Sequence, residues 1–294
     1  MRSYACSRLF KNSRFHIKTM LAPVLFCLVA FLFVNGCSSS TLKKEMRFVD
    51  ICEQIDNCNI KVFSFNIAGD DRNWETRKSA CYDVINTRKP DIIGFQELLP
   101  ENLQWALDNF PELGWYGLTI EGSSEAFPTD VEGESCRIMY NANRFSVDSA
   151  NSGAFWFSST PDVPSEGWDD LRYCVYVRLV DINTGDGIYL YNTHWSFSSQ
   201  NSRTNGAQIM VDRISRRVHT EDPFIVTGDF NATNSDAGIQ ILLQNMTTVV
   251  ENRIDWIFAE SGKYELASSE IISDINGTAV SDHNVLAAEL TITE

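Results

Sequence analysis

Carboxylates, amides and imidazoles recur in this chain where hydrophobic runs end. Asn66 closes KVFSFN and Glu97 closes DIIGFQE. His194 closes YLYNTH, Asp229 and Asn231 close FIVTGDFN, Asp255 lies near the start of IDWIF, and Asp282-His283 immediately precedes NVLAAELTI. Gathered in one place, such groups do two things: carboxylate and amide oxygens hold a hard divalent cation, and imidazoles carry protons. Taken singly, each residue has an ordinary explanation. Asn66 could cap a turn, Glu97 could be a solvated strand end, GDFN a tight turn and SDH a helix cap or loop. Their shared position at the ends of apolar strands is harder to assign to coincidence.

The elements that must position them follow from periodicity and punctuation. KVFSFN (61–66) reads as a strand, Thr76 to Thr87 as a helix, and DIIGFQE (91–97) as a buried strand after Pro90, which together make a βαβ unit. Parallel strands so connected bring Asn66 and Glu97 to the same sheet edge, where open α/β sheets build their sites. A second helix fits Glu101 to Asn109. Strands are expected at 137–140, 144–150, 153–157, 173–180 and 187–194, the last two forming an antiparallel hairpin around DINTGDG. Ala207, Met210, Val211, Ile214 and Val218 recur at helical steps, so 202–219 reads as a helix. Strand 224–230, helix 236–244 and strands 254–260 and 284–292 complete the expectation. Asp229 and Asn231 are two residues apart, which on an extended backbone points both to one face. Strand-rich blocks with few helices suggest sheets packed face to face and covered by helices.

The chain has 294 residues and a formal charge of -15, with 44% hydrophobic residues. That composition excludes a disordered chain, and so acidic a surface argues against gripping nucleic acid through a broad basic face. Residues 1–36 carry Arg2, Arg8, Lys11, Arg14 and Lys18 but no acid, followed by the apolar run Met20 to Val34. This is the pattern of a secretory signal. It ends in VNGC, which looks like a bacterial lipobox with Cys37 as the acylated residue. The expected organisation is a lipoprotein signal peptide over 1–36, a lipid-anchored tether over 37–59 and one catalytic domain over 60–294. An uncleaved N-terminal anchor would export the same domain. Cys52 and Cys58 could close a small loop, while Cys136 and Cys174 could equally pair or sit as small apolar residues in strands.

Together SFNIAGD, IIGFQE, YNTH, IVTGDFNAT, IDWIF and SDHNVL resemble the endonuclease/exonuclease/phosphatase family of deoxyribonuclease-I-like, metal-dependent phosphoesterases, in order from about Lys61 to Thr291. NWETRK, SGAFWFSSTPDVPSEGWDD and RYCVYVRLVD are similar to a bacterial branch of it. The resemblance implies an α/β fold of the α+β kind: a four-layer α/β sandwich of two mixed β-sheets packed face to face and flanked by helices. It implies Glu97, Asn66 and Asp282 as ligands of Mg²⁺ or Mn²⁺, the hard ions that an all-oxygen set suits. His283 becomes the expected general base with Asp255 fixing its tautomer. His194 stabilises phosphoryl oxygens or protonates the leaving group, although the two histidines could exchange roles. Glu134 matches the acid that relatives set against that histidine, and Asp229 and Asn231 orient water and bind phosphate. Tyr140 and Arg77 are read instead as strand packing and a surface helix charge.

Relatives of this branch often have THLDH where this chain has THWSF, so Ser196 and Phe197 replace an acidic and a basic or aromatic residue. Residues 232–254 leave room for one helix and one strand but no long recognition loop. Three functions remain open: a cell-surface hydrolase of small, carbohydrate- or lipid-linked phosphoesters, acting as a lipid-anchored monomer of the bacterial envelope; an exported nuclease; and a binding module without turnover. The first is preferred because no Lys/Arg cluster interrupts the acidic domain. The presence of the whole expected residue set ranks the binding module last.

Overall fold

A computed structural model describes residues 59–69, 73–117, 136–165, 167 and 171–293. The expected signal, Cys37, Cys52, Cys58, Glu134 and all of the tether but Asn59, which already opens the first strand, lie outside these residues. Among the described residues no helix is long and apolar enough to cross a membrane.

Strand β1 (Asn59–Asn66) runs parallel to β2 (Ile92–Gln96) through helix α1 (Trp74–Arg88). Helix α2 (Pro100–Asn109), β3 (Leu113–Gly117), β4 (Arg137–Asn141), β5 (Phe145–Val147), β6 (Gly153–Trp156), β7 (Tyr173–Asp181) and β8 (Gly187–His194) follow. Then come α3 (Gln200–Ser215), β9 (Phe224–Asp229), α4 (Ala237–Leu243), β10 (Thr247–Asn252), β11 (Asp255–Ala259), β12 (Tyr264–Ile272), the short ribbon β13 (Asp274–Ile275) and β14 (Thr278–Ala279), and β15 (Val285–Ile292). One sheet has the order β12-β15-β1-β2-β4-β3, the other β10-β11-β9-β8-β7-β5 with β6 also on β7. Among the described residues only β1/β2 and β8/β9 pair in parallel, so both sheets are mixed.

Residue parity builds the layers. Ile60 and Val62 of β1, Ile188 and Leu190 of β8, Ile225 of β9, Ile257 of β11 and Leu286 of β15 fill one core between the sheets. The alternate residues Phe63, Phe65, Ile93 and Phe95 join α1 and α2 in a second core. Tyr189, Tyr191, Phe224, Val226, Trp256 and Phe258 join α3 and α4 in a third. Two-residue alternation thus produces the four-layer sandwich, with the central strands β1, β2, β8, β9 and β11 buried on both faces because both are covered.

Three expectations shift. The strand expected over 144–150 stops at Val147, because Asp148 accepts from Asn151 Nδ2 at 2.7 Å and from Arg178 Nη1 at 2.9 Å, and the chain enters a single 3₁₀ turn. The helix expected over 202–219 begins earlier, where Ser199 Oγ accepts from Ser202 N, and ends at Ser215. Beyond it Arg217 turns back onto the carbonyls of Ile214, Thr220 and Asp222, leaving Val218 exposed. Strand β12 was not expected, since YELASSEII lies exposed at a sheet edge and so carries no burial pattern. Cys136 and Cys174 are separate buried thiols, the apolar alternative raised above.

Candidate active site

The same parity that fills the inter-sheet core delivers the polar residues. Counting by twos from Ile60 reaches Asn66, from Ile188 reaches His194, from Ile225 reaches Asp229, and back from Ile257 reaches Asp255. All four are buried. His194 is in register with Asp229 across β8/β9, and Asp229 with Asp255 across β9/β11. They form one row on the second sheet, facing Asn66 of the first.

Asn66 Nδ2 donates to Glu97 Oε1 at 2.9 Å and to Asp229 Oδ2 at 3.0 Å, while its Oδ1 accepts from Ala68 N at 3.0 Å. Glu97 follows β2 in the left-handed region (φ 56°), a strained backbone for a side chain with a Cβ and one that clusters at functional sites. Asp229 Oδ2 also lies 3.5 Å from His194 Nε2 and 3.7 Å from His283 Nε2. Its carboxylate is therefore the hub. His283 Nδ1 meets Asp255 Oδ2 at 2.9 Å and Oδ1 at 3.1 Å, which fixes the ring and leaves Nε2 towards Asp229. Asp282 is exposed beside it and accepts from Ser281 Oγ at 3.2 Å.

Electrostatics follow from burial and charge. Burial disfavours a charged His283, but the Asp255 hydrogen bond and the charges of Asp255, Asp229 and Asp282 together outweigh it and push the ring up to about 9. Burial lifts the Asp255 carboxyl to about 6, against the pull of the His283 hydrogen bond.

Donor atoms of Glu97, His194 and Asp229 lie within 4.8 Å of one another, as do those of Asp229, Asp255 and His283. Two carboxylates converging on one neutral amide leave surplus negative charge that a divalent cation would neutralise, so the site fits a metal. A cleft of about 260 Å³ opens beside it, lined by Asp255, Asp282, His283 and Asn252. A larger groove of about 460 Å³ lies elsewhere, around the Arg88–Glu270 ion pair, and lacks these acid–base groups.

Two placements correct the sequence reading. Asp229 and Asn231 do not share a face of an extended strand: β9 ends at Asp229, Asn231 is left-handed (φ 48°), and its N–H donates to Asp229 Oδ1 at 2.8 Å. Its side chain instead donates to Trp195 O at 2.9 Å. Nor is Arg77 a surface charge. It is buried and donates to Val280 O at 2.6 Å, Ile67 O at 3.1 Å and Ala68 O at 2.9 Å. The guanidinium so ties the turn after Asn66 to the segment that leads into Asp282-His283. Tyr140 packs against the inter-sheet core, as expected.

A supporting layer went unseen in the sequence. Behind the charged row, Asn192 Oδ1 accepts from Gln96 Nε2 at 2.7 Å and Thr227 Oγ1 at 3.0 Å, while Asn192 Nδ2 donates to Phe95 O at 2.7 Å and Arg137 O at 3.1 Å. Parity could have found it, since 192 and 227 stand two residues before 194 and 229. Gly94 admits this layer, because a Cβ there would overlap Thr227 Oγ1 and Asn192 Oδ1.

A profile described as the endonuclease/exonuclease/phosphatase family matches residues 63–283. An uncharacterized protein of Acanthamoeba polyphaga mimivirus is 28% identical over 167 residues, 54% of this chain, and the match spans 59% of that protein's length. An endonuclease/exonuclease/phosphatase from Bacteroides vulgatus superposes with a TM-score of 0.71 at 24% identity, covering 80% of this chain and 99% of that one. A mannosyl-6-phosphatase of Bacteroides thetaiotaomicron superposes with a TM-score of 0.66 at 21% identity, covering 79% and 99%. At these identities the two structures testify to a shared fold.

Proposed function

The chain belongs to the endonuclease/exonuclease/phosphatase family, and from that premise we propose that it hydrolyses phosphoesters with a divalent cation, preferring small, carbohydrate- or lipid-linked substrates. One observation carries the reading: a buried carboxylate, Asp229, meets the Asn66 amide and faces both imidazoles, and one of these is backed by Asp255.

In this mechanism Glu97, Asn66 and Asp282 would hold Mg²⁺ or Mn²⁺. A cation bound there would supply charge neutralisation on the phosphate, lowering the cost of adding an anionic nucleophile. Asp255 keeps Nδ1 of His283 protonated, so Nε2 takes a proton from water as its oxygen bonds to phosphorus. The phosphorus–oxygen bond of the ester breaks, and the departing alkoxide takes a proton from His194. Asp229, held by Asn66 and by the N–H of Asn231, orients the attacking water between the two rings.

The sugar-phosphate substrate of the Bacteroides thetaiotaomicron relative and the acidic surface of this chain both favour a small substrate over nucleic acid. The basic N-terminus, apolar run and VNGC motif support export, with the protein a monomer tethered to the bacterial envelope by lipid on Cys37. Under that reading residues 1–36 are removed, 37–59 form the tether and 60–294 the enzyme.

The test offers purified protein a monoester, a diester, sphingomyelin and nucleic acid side by side, with Mg²⁺, Mn²⁺ or chelator. Glu97→Ala and His283→Ala should each lower turnover by about 10²-fold or more. Near-normal turnover in both would overturn the assignment, and plasmid cleavage outpacing every small ester would replace it with a nuclease.

A further inference from the structure

We infer that Phe197 is a platform for the leaving group, selecting phosphoesters whose alcohol is a sugar ring. This rests on the phosphoesterase reading above and names the substrate class for it. At 79% exposure Phe197 is the most exposed large hydrophobic side chain among the described residues. A lone exposed apolar residue is ordinary on a protein surface. This one, however, stands three residues beyond His194 on backbone fixed at every step.

Trp195 N donates to Asp229 O at 2.9 Å, and Trp195 O accepts from Asn231 Nδ2 at 2.9 Å. The carbonyls of Ser196 and Phe197 accept from Arg203 Nη1 at 3.0 and 3.2 Å, and Arg203 is itself anchored to Asp236 at 2.9 Å. Ser196 Oγ accepts from Ser199 N at 3.2 Å, and Ser199 in turn caps α3. The indole of Trp195 is buried against Gly238, where a Cβ would overlap its ring. Since two residues span at most about 7 Å, the Phe197 backbone cannot stray from the rim that Trp195, Asn231 and Asp229 define. The segment is built to hold an aromatic ring outward on the short, pinned stretch that follows His194, without induced ordering.

The surroundings choose the ligand. Gln200 and Asn201, both exposed, follow the ring and carry amide groups. The other exposed large hydrophobics, Val163, Ile182, Val218, Leu266 and Ile271, are carried by other segments of the chain. One aromatic face among neutral hydrogen-bonding groups matches a pyranose, which has an apolar C–H face and a hydroxyl edge. An acyl chain or a membrane would call for a continuous apolar patch, and a long polyanion for a basic rim.

The test measures kcat and KM on glucose 6-phosphate, glycerol 3-phosphate and adenosine 5′-monophosphate for wild type, Phe197→Ala and Phe197→Trp with Mg²⁺. Glucose 6-phosphate binding to the His283→Ala protein, with and without Phe197→Ala, is followed by ligand-observed NMR. Phe197→Ala should raise KM for the hexose phosphate about 5- to 30-fold at nearly constant kcat, the signature of lost ground-state binding. It should leave glycerol 3-phosphate unchanged, and Phe197→Trp should restore the hexose phosphate. Unchanged KM, an equal loss on all three substrates, or a loss confined to the nucleotide would each overturn the inference. Absence of turnover on any phosphoester would refute the parent reading alone, provided Phe197-dependent binding persists; no binding by the Phe197-containing protein would refute both.

Discussion

Replacing Asp255 by Asn tests the acid–base assignment with little change of shape. Asp255 presents both oxygens to His283 Nδ1, at 2.9 and 3.1 Å, and the ring titrates near 9 instead of 6.5. That difference corresponds to roughly 3 kcal/mol in favour of imidazolium. It is shared with Asp229 and Asp282 and reduced by water at the rim, so Asp255 accounts for about 1–2 kcal/mol. In chelator-treated Asp255→Asn protein the His283 ring, followed by NMR, should therefore titrate closer to its ordinary 6.5. With Mg²⁺, kcat on a chromogenic phosphoester should fall about 10²- to 10⁴-fold, because the ring loses its tautomer and orientation. The sign for stability also follows. A histidine whose folded pKa is raised contributes fully below its unfolded pKa and loses that contribution as pH climbs through the folded value. Asp255→Asn also relieves the burial penalty that lifts the Asp255 carboxyl to about 6, so the pH trend is the readout: the variant's thermal stability relative to wild type should rise as pH climbs from 7 through about 9. A variant with kcat within about threefold of wild type and an unshifted His283 titration would refute the reasoning.

Three further outcomes follow from the supporting structure. Gly94→Ala should cost about 3 kcal/mol in urea denaturation, since its Cβ would overlap Thr227 and Asn192 where the sheets meet. Arg77→Met should cost a similar amount, about 3 kcal/mol, because the carbonyls of Ile67, Ala68 and Val280 lose a buried donor. Differential scanning calorimetry would measure it, and an effect below about 0.5 kcal/mol would show that the clamp is dispensable. Cys81, pushed up to about 12 chiefly by burial, and Cys174, raised well above its ordinary value for the same reason, should resist iodoacetamide at pH 8 in folded protein and react once unfolded. Peptide mass mapping of the alkylated sites would decide it.

Most of the layered fold was legible because its central strands are covered on both faces and so read as short, nearly continuous apolar runs between turn signals. The ends of FSFN, YNTH and TGDF announced polar groups where the apolar pattern stopped. What stayed hidden depends on contacts distant in sequence. Arg77 sits on a helix whose pattern gives no sign that its guanidinium reaches Val280, 203 residues away. Strand β12 is legible only through its pairing with β15, since an exposed edge strand has no buried face to imprint on the sequence.

The misread relation between Asp229 and Asn231 shows how site and fold are coupled. Had the strand continued, Asn231 would have kept its position on the ladder and Trp195 O would have lost its donor. Instead the chain turns left-handed at Asn231, and its N–H takes one oxygen of Asp229. That leaves the other oxygen for Asn66 and the two imidazoles. One non-glycine residue at positive φ therefore fixes which carboxylate oxygen faces Asn66 and the two imidazoles, and the same residue's side chain pins the backbone that leads to Phe197. Chemistry and specificity share a single turn, so a change at Asn231 should disturb both kcat and KM, whereas a change at Phe197 should disturb KM alone.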